Sequence, residues 1–169
     1  MIDGTLETID GRPALRFERN LAHPIDRVWR AVSEPAELER WFPAATEWTP
    51  ATGETIEAYG MTGEVTEVAA PHRLAWTFAG DGYSFDLIEQ DGGCRLIFIH
   101  TFDDKTPTAQ TAAGWQTYFS RLDAHLDGGF LSEEAAHETW GDIHELYAER
   151  FGVDPEPGRQ FWADLRANR

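Results

Sequence analysis

The sequence predicts an α+β fold in which a curved antiparallel sheet wraps around one long helix. Three observations carry that expectation. An early strand pattern at residues 13–22 runs into two short helical stripes edged by prolines. Strand-like segments joined by turn dipeptides then fill residues 46–102, and one long helical pattern spans residues 107–127. Strand, two small helices, several strands and a long helix describe a sheet that curls around a helix, with room for a cavity between the layers.

Each element has its own local reason. A polar lead-in at residues 1–11 carries a short strand at Thr5–Ile9. In the next strand Leu15, Phe17 and Leu21 alternate with Arg16, Glu18 and Asn20, the period of a half-buried strand. Pro24 suits the first turn of a helix. Ile25, Val28, Trp29 and Val32 then fall on one helical face. Pro35 ends that helix and begins a second one, with Leu38, Trp41 and Phe42 on its apolar edge and Pro43 as its stop. Glu54–Gly60, Met61–Ala69, Arg73–Ala79, Tyr83–Glu89 and Cys94–Phe102 read as strands. Asp81-Gly82 and Asp91-Gly92 read as hairpin turns, because both residue types tolerate positive φ. Cys94–Phe102 sets Leu96, Phe98, His100 and Phe102 against Ile97, Ile99 and Thr101. Being apolar on both faces, it belongs inside the sheet.

The long helix starts at Pro107 and is closed by Gly128. Trp115, Tyr118, Phe119, Leu122 and Leu126 give it a wide apolar stripe. Residues 132–151 read as one further helix, capped by Ser132, favoured by Glu133 and Glu134, and buried through Ala136, Trp140, Ile143 and Tyr147. A last short helix spans residues 159–167, with Phe161, Trp162 and Leu165 as its apolar residues.

Composition narrows the function classes. The chain has 169 residues, 41% of them hydrophobic, which is enough for one domain with a substantial core. Seven Trp and ten Phe supply large apolar area to a core or a binding site. A formal net charge of −16 argues against binding to nucleic-acid phosphates or to anionic lipid surfaces. Cys94 stands alone, so no intramolecular disulfide forms. The sequence carries neither a signal-peptide pattern nor a membrane-length apolar run, so a cytoplasmic location is expected.

Leu21-Ala22-His23-Pro24, Val28-Trp29, Pro35, Leu38, Trp41-Phe42, His100-Thr101-Phe102-Asp103 and Gly114-Trp115 together resemble the START-like (SRPBCC) superfamily. The chain is most similar to the bacterial relatives of the heat-shock protein 90 ATPase activator's C-terminal domain. The resemblance covers about residues 12–128. It implies a helix-grip fold over residues 1–128, with residues 129–169 as a helical extension packed on the same domain. It also implies a cavity for a lipid, polyketide or similar apolar molecule between the long helix and the concave sheet. The expected lining is Trp41, Phe42, Tyr59, Trp76, Tyr83, Phe85, Phe98, His100, Trp115, Tyr118 and Phe119, about half of which are expected to touch the cavity. Tyr59, Tyr83 and Tyr118 are the members able to hydrogen-bond a ligand.

His100 is the candidate catalytic residue. It shares a strand face with Leu96, Phe98 and Phe102, so it either orients a ligand or acts as a base in an apolar site. The competing reading, which is favoured, is a buried structural histidine bonded to backbone, Asp103 or Asp104. Glu133, His137 and His144 share a helical face, but the two histidines lie about 10.5 Å apart along a helix at 1.5 Å per residue. A solvated polar face therefore outweighs a metal site, and neither metal nor cofactor is expected. Asp86, Glu89, Asp103 and Asp104 offer a carboxylate pair with no other support. A Cys94–His100 pair is excluded by roughly 20 Å of intervening strand. Three functions follow in order of preference: binding of an apolar or aromatic small molecule, a cyclase- or hydrolase-type enzyme using His100, and a chaperone-linked interaction module. The aromatic C-terminal helices make a homodimer an open expectation.

Overall fold

A computed structural model describes residues 2–43 and 51–168, so the part of the strand-rich stretch that falls on residues 46–50 lies outside the described residues. The elements, in order, are β1 (Gly4–Ile9), β2 (Arg12–Leu21), α1 (Ile25–Ser33), α2 (Pro35–Leu38), β3 (Thr55–Ala58), β4 (Met61–Ala69), β5 (Arg73–Phe78), β6 (Asp81–Gln90), β7 (Gly93–Thr101), α3 (Thr108–Leu126), α4 (Glu133–His137), α5 (Trp140–Phe151) and α6 (Glu156–Ala167). The strands form one antiparallel sheet in the order β1-β2-β7-β6-β5-β4-β3.

Short turns set the register of that sheet. Asp10-Gly11, Tyr59-Gly60, Ala79-Gly80 and Asp91-Gly92 each place two successive residues at positive φ. That is the conformation of two-residue hairpin turns whose twist matches the strands they join. The turn between β5 and β6 is therefore Ala79-Gly80 and not Asp81-Gly82. Asp81 opens β6 opposite Phe78 instead. The two-residue shift matters, because it frees the Asp81 side chain for another task described below.

Register in turn aligns side chains across the concave face. Trp76, Tyr83, His100 and Leu15 are direct partners across β5, β6, β7 and β2. Leu74, Phe85, Phe98 and Phe17 form the next row, ending at Gly4 on β1. A Cβ on Gly4 would sit 2.9 Å from the Phe17 ring and from the Tyr147 hydroxyl, so glycine is what lets both approach. The outer residues of β7 are only half-buried, so Ile97 and Ile99 face partly outward and the strand is not buried on both sides. β7 is nonetheless interior, paired with β2 and β6.

Helix α3 lies on the concave face. Phe119 packs 5.3 Å from Phe17 and Trp115 packs 4.5 Å from Phe98, centroid to centroid. Its apolar stripe is wide because α3 is covered from the other side as well, by α4 and α5. Helix α2 is a single turn that ends at Leu38. Trp41 lies beyond it, fully buried, and its indole N–H donates to the Ala31 carbonyl at 2.8 Å.

The C-terminal region departs from the expected single helix. The chain breaks after His137, and α5 starts at Trp140. His144 therefore leaves the face shared by Glu133 and His137 and is buried, with 2% exposure. It stacks on Trp140 at 5.0 Å with the rings 6° from parallel, and Trp162 of α6 stacks on Trp140 at 5.2 Å. A Cβ on Gly158 would fall 1.9 Å from His144 Nε2, so glycine there is what seats α6.

Ser132 caps α4 by accepting a hydrogen bond from the Ala135 N–H at 3.1 Å. Removing that acceptor in Ser132→Ala is expected to cost about 1 kcal/mol, read as a lower urea midpoint at unchanged slope.

Candidate ligand pocket

Between α1–α2, the β3–β4 hairpin and the rising half of the sheet lies a pocket of about 190 Å³. α1 contributes Val32, α2 contributes Leu38, and the segment after α2 contributes Phe42 and Pro43. Ile56 and Ala58 come from β3, Tyr59 from its turn, Trp76 and Phe78 from β5, Tyr83 and Phe85 from β6, and Trp115 from α3. None of these twelve side chains carries a formal charge at neutral pH.

The sheet register explains the wall. Trp76 and Tyr83 are cross-strand partners, and their rings stack 5.3 Å apart and 8° from parallel. Phe42 closes the opposite side, 6.1 Å from Trp76 and 5.7 Å from Trp115. Burial, with the nearby Asp81 charge, raises the Tyr83 pKa, so its hydroxyl remains a neutral donor. Tyr59 is 75% exposed and donates to the Pro43 carbonyl at 3.1 Å, which ties the hairpin to the end of the α2 segment.

The expected aromatic group is thus divided among several places. Phe42, Tyr59, Trp76, Tyr83, Phe85 and Trp115 line the pocket. Trp41, Phe98 and Phe119 stand behind the wall with 0% exposure, as core. Their rings pack against one another and their neighbours, with Trp41 6.2 Å and Phe98 5.3 Å from Phe119. Tyr118 points to the far side of α3, where its hydroxyl donates to Glu133 Oε1 at 2.6 Å.

His100 is buried but does not line the pocket, because Tyr83 lies between, stacked on the imidazole at 4.4 Å. The Trp115 indole N–H donates to His100 Nδ1 at 3.1 Å, and Nε2 lies 2.8 Å from Asp81 Oδ2. Indole is only a donor, so Nδ1 must be the acceptor and the ring proton sits on Nε2, pointing at Asp81. Both ring nitrogens are therefore committed, and a base has no lone pair to offer. Burial also holds the imidazole pKa below its usual value, against the opposing pull of Asp81. The partner is Asp81, where Asp103 or Asp104 was expected. Asp103 pairs with Arg12 at 3.0 Å instead.

The remaining candidates lie apart. Asp86 forms an ion pair with Arg73 at 2.7 Å. Cys94 is buried, its thiol pKa raised by that burial, and sits opposite Leu21 and Glu89, six positions along β7 from His100. No group of three or more His, Cys, Asp or Glu able to hold a metal ion occurs among the described residues. Val32, Leu38, Pro43, Ile56, Ala58 and Phe78 complete the pocket wall, beyond the residues that the sequence pointed to. Phe78 was within reach, since it shares a strand face with Trp76.

A curved antiparallel sheet gripping a long helix, with two small helices over one end and an apolar pocket beneath them, defines a START-like helix-grip protein. The family model for "Activator of Hsp90 ATPase homolog 1-like protein" matches residues 22–127, and the chain belongs to that family. Comparison with curated proteins finds no match. Among solved structures, CalU16 from Micromonospora echinospora is 20% identical with a TM-score of 0.69, over 87% of this chain and 94% of its own. EF2215 from Enterococcus faecalis is 21% identical with a TM-score of 0.69, over 88% and 90%. The Aha1 dimer from Colwellia psychrerythraea is 18% identical with a TM-score of 0.57, over 67% and 95%. Among the described residues, no helix is long and apolar enough to cross a membrane.

Proposed function

We propose that the protein binds a small, uncharged aromatic molecule of one or two rings in the pocket beneath α1 and α2. The observation that carries this reading is an apolar wall built around the stacked Trp76–Tyr83 pair, with no ionisable carboxylate or ammonium group in its lining. Size narrows the ligand. About 190 Å³ is somewhat more than the roughly 150 Å³ of an apolar cavity that holds benzene, and below the roughly 300–1,000 Å³ of typical drug-sized sites. A long lipid chain or a folded polyketide would need more room. The Tyr83 hydroxyl is the donor best placed to orient a polar ligand atom.

Reaction chemistry centred on His100 has less support, because the imidazole is held by Trp115 and Asp81 and is screened from the pocket by Tyr83. A chaperone-linked role rests on the family description alone.

Thermal unfolding with saturating indole tests the proposal. Ligand at a hundred times its Kd adds about 2.7 kcal/mol, a rise of several degrees in Tm for a chain of this size. In Ala58→Trp the new ring fills the pocket and the rise is lost. A Tm that stays flat across a panel of neutral one- and two-ring aromatics would sink the proposal.

A further inference from the structure

The face of α3 that turns away from the sheet carries a second concavity. Between α3, α4 and α6 runs an open groove of about 830 Å³. Its two sides differ in chemistry. One is apolar, formed by Trp140, Phe161 and Leu165, and the last two are 48% and 37% exposed. The other carries Tyr118, Glu133, Glu134 and His137, and among the described residues no Lys or Arg lines the groove. Arg121, with its guanidinium 6.0 Å from the Tyr118 ring, is tied to the carbonyls of Leu131 and Arg40.

The floor of the groove is α3 at Gly114. Glycine inside a helix is destabilising relative to alanine, so it calls for a reason. Packing within the chain supplies none, since a Cβ at Gly114 would meet nothing within 4 Å. Gly141 and Gly158 differ, because added methyls there would run into Trp162 and His144. At Gly114 the missing side chain leaves the helix backbone bare beneath the groove.

The acidic side is organised. Ser132 fixes the first turn of α4, the Tyr118 hydroxyl donates to Glu133, and the His137 ring is held by its Nδ1 at 2.7 Å from the Glu133 carbonyl. Glu134 has no side-chain partner among the described residues.

We propose that this groove is a second binding site, for a small cationic aromatic molecule. Its ring lies over Gly114 against Phe161 and Leu165, and its ammonium group meets Glu134 and Glu133. A carboxylate ligand would face two like charges at that end. A neutral alkyl chain would leave the carboxylates without a counter-charge. The net charge of −16 favours the approach of a cation over that of an anion.

Amide NMR titration of the full chain with 1-naphthylmethylamine, and separately with 1-naphthylacetate, tests the assignment. The amine is expected to give saturable shifts at Gly114, Glu134 and Leu165, and the acid to bind there at least tenfold more weakly. Glu134→Gln weakens the amine by about threefold or more. Gly114→Leu abolishes its binding while leaving Tm unchanged or higher, because leucine is the better helix former. Equal binding of amine and acid, or shifts confined to Ala58, Trp76 and Tyr83, would overturn the assignment. So would groove shifts that follow protein concentration without the amine, which would give this face to a second copy of the chain.

Discussion

A chain ending at Gly128 is expected to be largely unfolded at room temperature. The reason is Tyr147, which sits on α5 yet is fully buried against β1, β2 and α3. Its ring lies 6.4 Å from Phe17. Its hydroxyl accepts from the Gly4 N–H at 2.8 Å and donates to Gln116 Oε1. Gln116 Oε1 also accepts the Asp3 N–H, and Arg150 donates to the carbonyls of Ile2 and Gly4. The C-terminal helices thus hold the first strand and cover the outer face of α3. Tyr147→Ala alone is expected to cost about 3–5 kcal/mol, a large share of the roughly 5–15 kcal/mol that stabilises a typical domain. Tyr147→Phe keeps the ring and loses the hydroxyl bonds, for about 1–3 kcal/mol. Burial pushes the hydroxyl pKa up to about 12, so this contact holds throughout the neutral range. Circular dichroism and urea unfolding of the three variants check the series. A cooperative transition from residues 1–128 with native-like stability would make the C-terminal helices a mere appendage.

His100→Ala is expected to cost about 2–4 kcal/mol and leave indole binding intact in whatever fraction remains folded. The substitution strands the Trp115 N–H and Asp81, and it removes the ring on which Tyr83 stacks. The pH dependence has a definite sign. Burial holds the folded-state pKa of His100 below its ordinary value, and burial does the same for His144. Above the unfolded value near 6.5 both states are neutral and the stability is fully present. As pH falls below it, the unfolded chain takes up protons first and stability declines. At Nδ1, protonation would also set an N–H against the Trp115 N–H. Urea midpoints measured from pH 8 to 5 should therefore decrease on the acidic side, with a shallower decrease in His100→Ala. A variant with wild-type stability and lost turnover would instead make His100 catalytic.

Most of the fold was legible because it rests on short-range rules. Alternation marked β2 and β7, proline edges marked α1 and α2, and the stripe from Trp115 to Leu126 marked α3. Misreadings arose where two local signals competed. Asp81-Gly82 and Ala79-Gly80 are both tolerable turn pairs, and the pairing of Trp76 with Tyr83 selects the second. Residues 132–151 hold one helical period, and the chain breaks it at residues 138–139 so that Trp140 and His144 can turn inward against Trp162.

The site was less legible than the fold. Sequence by itself determined that aromatic rings occupy alternate positions of β5, β6 and β7, and that His100 shares a face with Phe98. Only tertiary structure decided which of those rings see open space. Trp41, Phe98 and Phe119 lost theirs to α3 and the α2 segment, while Phe42, Trp76 and Tyr83 kept theirs. It also decided that His100 is a strut between Trp115 and Asp81. The physical reason is that a strand pattern sets only the side of the sheet on which a ring stands. Whether that side is packed or open depends on residues far away in sequence, here Val32, Leu38 and Ala58.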